Sequence, residues 1–191
     1  MARTKEFDRE RALDRAMHVF WRQGYAATSL PDLLRAMGIG RQSMYDTFGD
    51  KHALFLEALA RYIGRTDATR ACFEQASSVR RAFRDMFEAI LDEHDADKRR
   101  GCFGIHSAVA LAPHDKRVAK MIADRQRELE DVFHRALERA RASGEIAAAK
   151  NARGLARFFV GALQGLRVAA TADPSSPALR DIARVSLATL D

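Results

Sequence analysis

Arg41, Gln42, Ser43, Tyr45, Thr47 and Lys51 crowd one short stretch, Arg41-Gln42-Ser43-Met44-Tyr45-Asp46-Thr47-Phe48-Gly49-Asp50-Lys51. Their shared chemistry is hydrogen bonding to nucleic acid. A guanidinium spans guanine O6 and N7, a glutamine amide spans adenine N6 and N7, and Ser, Thr and Tyr hydroxyls donate to phosphate oxygens. Met44 and Phe48 are four apart and claim the core side of a helix, which turns the polar set partly or wholly outward. On an arbitrary helix such a face is merely solvated, so its meaning depends on what precedes it.

What precedes it is a helix and a break. Thr28 and Ser29 are both competent N-caps, Asp32 three residues after Ser29 forms a short capping box, and Pro31 fits only a first helical turn. Leu30, Leu33, Leu34 and Met37 then recur at helical spacing, Gly38 supplies the break, and Ile39 anchors the turn. Upstream, Leu13, Ala16, Met17 and Phe20 mark an amphipathic helix that Gly24 ends. Two crossing helices joined by a short glycine-containing turn, the second polar on its leading turn, describe a helix-turn-helix that reads a DNA major groove.

Gly24-Tyr25, Thr28, Gly38-Ile39, Tyr45, Phe48, Lys51 and Leu54 together resemble the amino-terminal domain of the TetR family of transcriptional regulators, over roughly Phe7 to Leu56. The resemblance implies that Thr28 and Tyr45 touch phosphates, that Arg41, Gln42 and Ser43 lie at base edges, and that Lys51 holds a phosphate at the next helix start. Backbone amides at that helix start favour the same anion. Two positions depart from the family pattern: Gly40 stands where a capping Ser or Thr is common, and Thr47 where an aromatic or His is common. The missing aromatic weakens the case for a backbone contact at Thr47.

Other chemistries find little support. The chain has 191 residues, 47% hydrophobic and 30% charged, with four Pro and a net charge of +6, as expected of a basic, helix-rich globular protein. No nucleophile elbow, phosphate-cradling loop or convincing carboxylate pair is present, the six His are scattered, and Cys72 and Cys102 lack metal spacing. The reading is therefore no enzyme, no cofactor and no metal. Without a signal peptide or an apolar run of membrane length, it is also a cytoplasmic protein.

The expected fold is all-α with about nine helices: a helix-turn-helix DNA-binding domain over residues 1–49, then a helical ligand-binding and dimerisation domain over residues 50–191. In the second part Asp50 caps a linking helix, and Val79, Phe83, Phe87, Ile90 and Leu91 form a stripe after a Ser77-Ser78 cap. His94 to Arg100 reads as a loop, and Gly101 to Pro113 as a central apolar helix. A long helix from Asp115 to Ser143 follows, and the Asp173-Pro174-Ser175-Ser176-Pro177 breaker separates two last helices.

On those last helices Phe158, Ala162, Leu166, Leu179, Ile182 and Leu187 are candidates for a dimer interface, since two paired heads double the contacts on a palindrome. A regulator also needs a second site whose ligand biases the heads. The resemblance implies a pocket in the second part, and Tyr62, Phe83, Phe87, Phe103, His106, Val109 and Phe159 are candidates for its wall, suited to an apolar or aromatic effector. The expected function is thus a homodimeric repressor of a palindromic operator released by that effector. Cys102 offers an alternative trigger: behind Arg99-Arg100-Gly101 and near a helix start, its thiolate is favoured, which suits an electrophile or oxidant sensor. A helical small-molecule carrier or enzyme is the remaining alternative.

Overall fold

Asp8 opens the first helix by accepting the Arg11 amide at 3.1 Å, and in the computed structural model α1 runs Arg9–Ala27. Residues 7–64 and 67–191 are described; residues 1–6, including the Met-Ala-Arg-Thr-Lys start, and residues 65–66 lie outside that description. Gly24, with φ 76° and ψ 165°, breaks α1 internally, in the left-handed half of the map that glycine enters without steric cost. The expected stop at Gly24 is this break, with one further turn beyond it.

Ser29 caps α2 (Leu30–Met37) through the Asp32 amide and donates its own proton to the Asp32 carboxylate at 2.5 Å, which holds that carboxyl below its ordinary value. Gly38 closes α2 at φ 70° and ψ 33°, its N–H bonded to the Leu34 carbonyl. A Cβ there would be strained by that φ and would stand 3.3 Å from Arg15 Nη1. The turn leads into α3 (Arg41–Phe48), and Asp50 then caps α4 (Lys51–Gly64) through the Ala53 amide at 2.7 Å.

The remaining helices are α5 (Asp67–Gln75), α6 (Val79–Leu91), α7 (Asp95–Arg100), α8 (Phe103–Ala110), α9 (Lys116–Ala142), α10 (Ala152–Ala172) and α11 (Pro177–Ala188). Among the described residues, nine of the eleven helices are those that the periodicity anticipates, and α5 and α7 are additional. The His94 to Arg100 stretch is thus a short helix rather than a loop. Asp95 and Asp97 sit in its first turn and Lys98, Arg99 and Arg100 in its last, a charge order that favours the helix dipole. Lys98 is buried, with Nζ on the Pro174 carbonyl at 3.4 Å, which docks α7 against the α10–α11 connection.

Two hydrophobic clusters organise the chain. One joins α1 to α4, including Phe20, Met44, Phe48, Leu54 and Phe55, and continues into Phe103 of α8 and Val118 of α9. The other joins α5, α6, α9, α10 and α11 around Phe73, Phe83, Phe133 and Phe159. There the rings of Phe83 and Phe159 stack with centroids 3.7 Å apart. Ion pairs fasten α1 to α4: Arg61 takes Asp14 through Nε at 2.6 Å and Nη2 at 2.9 Å and also pairs with Glu10, while Arg9 takes Glu57 at 2.5 Å.

Candidate nucleic-acid interface and internal cavity

On α3 the burial pattern separates anchors from readers. Met44 and Phe48 are buried, Arg41, Gln42 and Tyr45 are exposed, and Ser43 and Thr47 are half-buried. Gln42 Nε2 donates to Asp46 Oδ1 at 2.8 Å one turn on, which orients the amide along the exposed face. Gly40 is the N-cap of α3 and supplies no side-chain hydrogen bond. At the neighbouring corner Lys51, the first residue of α4, holds Nζ 4.5 Å from the Tyr25 ring centroid, and His52 meets Asp115 at 2.5 Å. A cation and the free amides of a helix start therefore share one corner.

Thr28 is placed differently from these. It is 1% exposed at the end of α1, and its hydroxyl donates to the Gly24 carbonyl at 2.6 Å. In this conformation its one proton closes the α1–α2 turn and is not available to a phosphate oxygen.

Between α4, α5, α6, α8, α9 and α10 lies a cavity of about 980 Å³, within the size range of small-molecule sites. Its wall is largely apolar, with Ile63, Met86, Ile90, Ile122 and Leu129 among its members. Tyr62 and Cys102 meet on it: the phenol donates to the Cys102 Sγ at 3.4 Å. Burial first, and then the adjacent Cys102, push the Tyr62 phenol well above its ordinary value, so it remains a donor at neutral pH. Tyr62 also packs edge-on against Trp21 of α1 at 4.9 Å, and Trp21 Nε1 donates to the Gly101 carbonyl at 3.1 Å. Gly101 has φ 67°, and a Cβ on it would come within 2.8 Å of Thr171 Oγ1 and 2.9 Å of His106 Nε2. The backbone just before Cys102 is thus wedged between α1, α8 and α10.

The sequence model of bacterial regulatory proteins of the tetR family matches residues 12–58, and that of the tetracyclin repressor-like C-terminal domain matches residues 78–185. The chain belongs to the TetR family. Members of that family are DNA-binding transcriptional regulators. The HTH-type transcriptional regulator YezE of Bacillus subtilis strain 168 is 38% identical over the whole of both chains. The HTH-type transcriptional repressor ComR of Escherichia coli strain K12 is 36% identical, over 97% of this chain and 90% of ComR. A cysteine mutant of the TetR-family regulator CifR, solved with 26-base-pair operator DNA, superposes with a TM-score of 0.86 at 31% identity, covering 99% of this chain and all of that one.

Within this TetR-family chain, the residues proposed for the cavity wall divide. Tyr62, Cys102 and Val109 line it, whereas Phe83, Phe87, Phe103 and Phe159 are at most 2% exposed and fill the two cores. His106 stands beside Gly101 instead. The α8 helix is also less central than its composition suggests, since Val109 is 76% exposed. Arg100, one of the two guanidiniums expected to activate Cys102, is committed to Asp97 at 3.0 Å and to the face of Trp21 at 5.1 Å.

Along α10 and α11 the residues proposed for the dimer interface divide as well. Leu166 and Leu179 belong to the protomer core, and Ala162, Ile182 and Leu187 pack partly against it. Phe158 is exposed, as are Val168 and Val185, which the sequence reading passed over. It also missed Met86, Ile90, Ile122, Arg125, Gln126, Gln164 and Arg167 on the cavity wall. Arg167 carried a readable signal, being the one charge between Phe158 and Ala172. Among the described residues, no helix is long and apolar enough to cross a membrane, and no cluster of metal-ligating side chains occurs.

Proposed function

We propose that the chain is a homodimeric repressor whose paired heads bind a palindromic operator and let go when a small, largely apolar or aromatic molecule enters the cavity. Arg41, Gln42 and Ser43 read base edges, while Tyr45, Thr47 and Lys51 hold phosphates. Residues 1–49 act as the reading head and residues 50–191 as the ligand-binding and dimerising part. Dimerisation is supported by Phe158 and Val185, large apolar side chains left in solvent on the last two helices. The repressor sense is supported by ComR, which carries that name.

The observation that carries the regulatory reading is the hydrogen bond from Trp21 to Gly101, because it ties the cavity wall to the first helix of the head. A ligand that displaces Tyr62 or Cys102 acts on Gly101 and through it on α1, and so favours one placement of the heads over another. The decisive experiment is selection of genomic fragments on the purified protein, followed by screening for compounds that release them. Sequence-independent binding at every salt concentration would defeat the proposal, as would a strict monomer in solution.

Cys102 supports a second trigger, since it lines the cavity and its Sγ meets the Tyr62 hydroxyl there. An electrophilic carbon entering the cavity would gain a C–S bond, with the thiol proton passing to the adduct. Cys102→Ser then abolishes release by N-ethylmaleimide, and unchanged release removes this reading.

A further inference from the structure

The charges on the cavity wall are unevenly balanced. Three ionisable side chains line it besides the phenol and the two thiols: Asp85, Arg125 and Arg167. Asp85 is exposed and lies 3.7 Å from Arg81 on its own helix face. Arg167 is matched by Glu93 at 2.6 Å, with both side chains equally covered at 28% exposure. Arg125 differs. Its side chain is only 20% exposed, and among the described residues its one acceptor is Glu128, reached by Nη1 at 3.4 Å and itself 64% exposed.

A guanidinium has five N–H donors in a planar fork and stays charged at every physiological pH. Covering most of it while supplying a single long contact to a solvated carboxylate leaves both its charge and its donors poorly met. Arg125 lies on α9 between Ile122 and Leu129, three residues before and four after, so it shares a helix face with two apolar members of the wall. Gln126 and Gln164 add uncharged hydrogen-bonding groups to the same wall.

We infer that the cavity takes an amphipathic organic acid, with a carboxylate on the Arg125 fork and a hydrocarbon or aromatic body among Met86, Ile122 and Leu129. A carboxylate meets the fork in two parallel N–H···O bonds and cancels the charge, which an uncharged isostere of equal shape does not. The inference rests on the reading of the cavity as the effector site, and it adds the chemical class of the effector.

The test is calorimetric titration of the purified full chain, without DNA, with acids from hexanoate to tetradecanoate and with phenylacetate and cinnamate, each against its primary amide. At least one acid is expected to bind on the order of tenfold more tightly than its amide, the scale of a charge-assisted hydrogen bond. In Arg125→Gln that preference is expected to vanish while the amide binds as before, and Arg125→Lys is expected to restore part of it. Equal binding of acid and amide overturns the inference, as does no binding across the series or a full acid preference in Arg125→Gln. The acid–amide comparison on the unaltered chain needs no variant to fold. An acid that binds with this preference but leaves operator affinity unchanged upholds the ligand class and refutes the effector reading.

Discussion

Trp21 and Gly101, eighty residues apart, are joined by a hydrogen bond from the indole Nε1 to the backbone carbonyl at 3.1 Å, next to Cys102 of the cavity wall. The indole ring meets Tyr62 on one side and the Arg100 guanidinium on another. Trp21→Phe keeps a ring against Tyr62 but withdraws the donor from a buried carbonyl. It is expected to cost about 1 kcal/mol of stability in urea unfolding and to weaken ligand-induced operator release more than operator binding itself. Release equal to that of the unaltered chain would show that this contact carries no signal.

The head separates into groups with different signatures in a salt-titrated binding assay. Arg41→Ala is expected to cost about 1–3 kcal/mol on the preferred site and to relax base preference at one position. Lys51→Ala is expected to weaken all sites alike and to lower the salt dependence by about one counterion. If Arg41→Ala weakened every sequence equally, Arg41 would be a phosphate contact and the assignment of α3 would need to turn about its axis.

The helix-turn-helix was legible because its signals are local. Ser29, Gly38, Asp50 and the spacing from Leu30 to Met37 act within a turn or two of themselves, and each does in the structure what its type implies. Thr28 was harder, since Thr28 and Ser29 are equally good caps on paper and only the break at Gly24 decides that Ser29 caps α2 while Thr28 turns inward. The cavity was the least legible part. Aromatic type cannot distinguish a core from a wall, and Phe83 and Phe159 satisfy each other by stacking whereas smaller Met86, Ile122 and Leu129 leave the space. Short α7 escaped because charge order, not apolar periodicity, stabilises it.

That division between core and wall makes a direct prediction. Phe159→Ala removes a fully buried ring stacked on Phe83 and is expected to destabilise the chain by about 3–5 kcal/mol, the cost of an aromatic deleted from a packed core. Val109→Ala, at an exposed position on the cavity wall, is expected to change stability by less than about 0.5 kcal/mol while altering ligand affinity. Denaturant unfolding with and without ligand separates the two.

Gly40 offers a gain. Its backbone sits at φ −76° and ψ 161°, an extended conformation open to any residue, and a Cβ would meet nothing within 4 Å. Gly40→Ser adds a hydroxyl acceptor for an amide in the first turn of α3 and is expected to stabilise the head by a few tenths of a kcal/mol. The effect should appear as slower amide exchange in α3 and tighter operator binding. Unchanged exchange would mean that the start of α3 is already held by other contacts.

His52 and Asp115 join the start of α4 to the start of α9 at 2.5 Å, and Asp115 also caps α9 through the Arg117 and Val118 amides. The His52 hydrogen bond first, with the two amides, holds the Asp115 carboxyl below its ordinary value. A carboxyl whose pKa is lower folded than unfolded stabilises the fold when both states are ionised, above the unfolded value of about 4. That contribution fades as pH falls through about 4 toward the lower folded value, because the unfolded chain takes up the proton first. Asp115→Asn retains a capping oxygen for α9 and removes the charge, so it isolates this effect from loss of the cap. The urea midpoints of the two proteins are expected to differ most above about pH 4, and the gap to narrow as pH falls below about 4. A gap that stays constant through that fall in pH would show that Asp115 acts only as a cap and that its charge contributes nothing to joining α4 to α9.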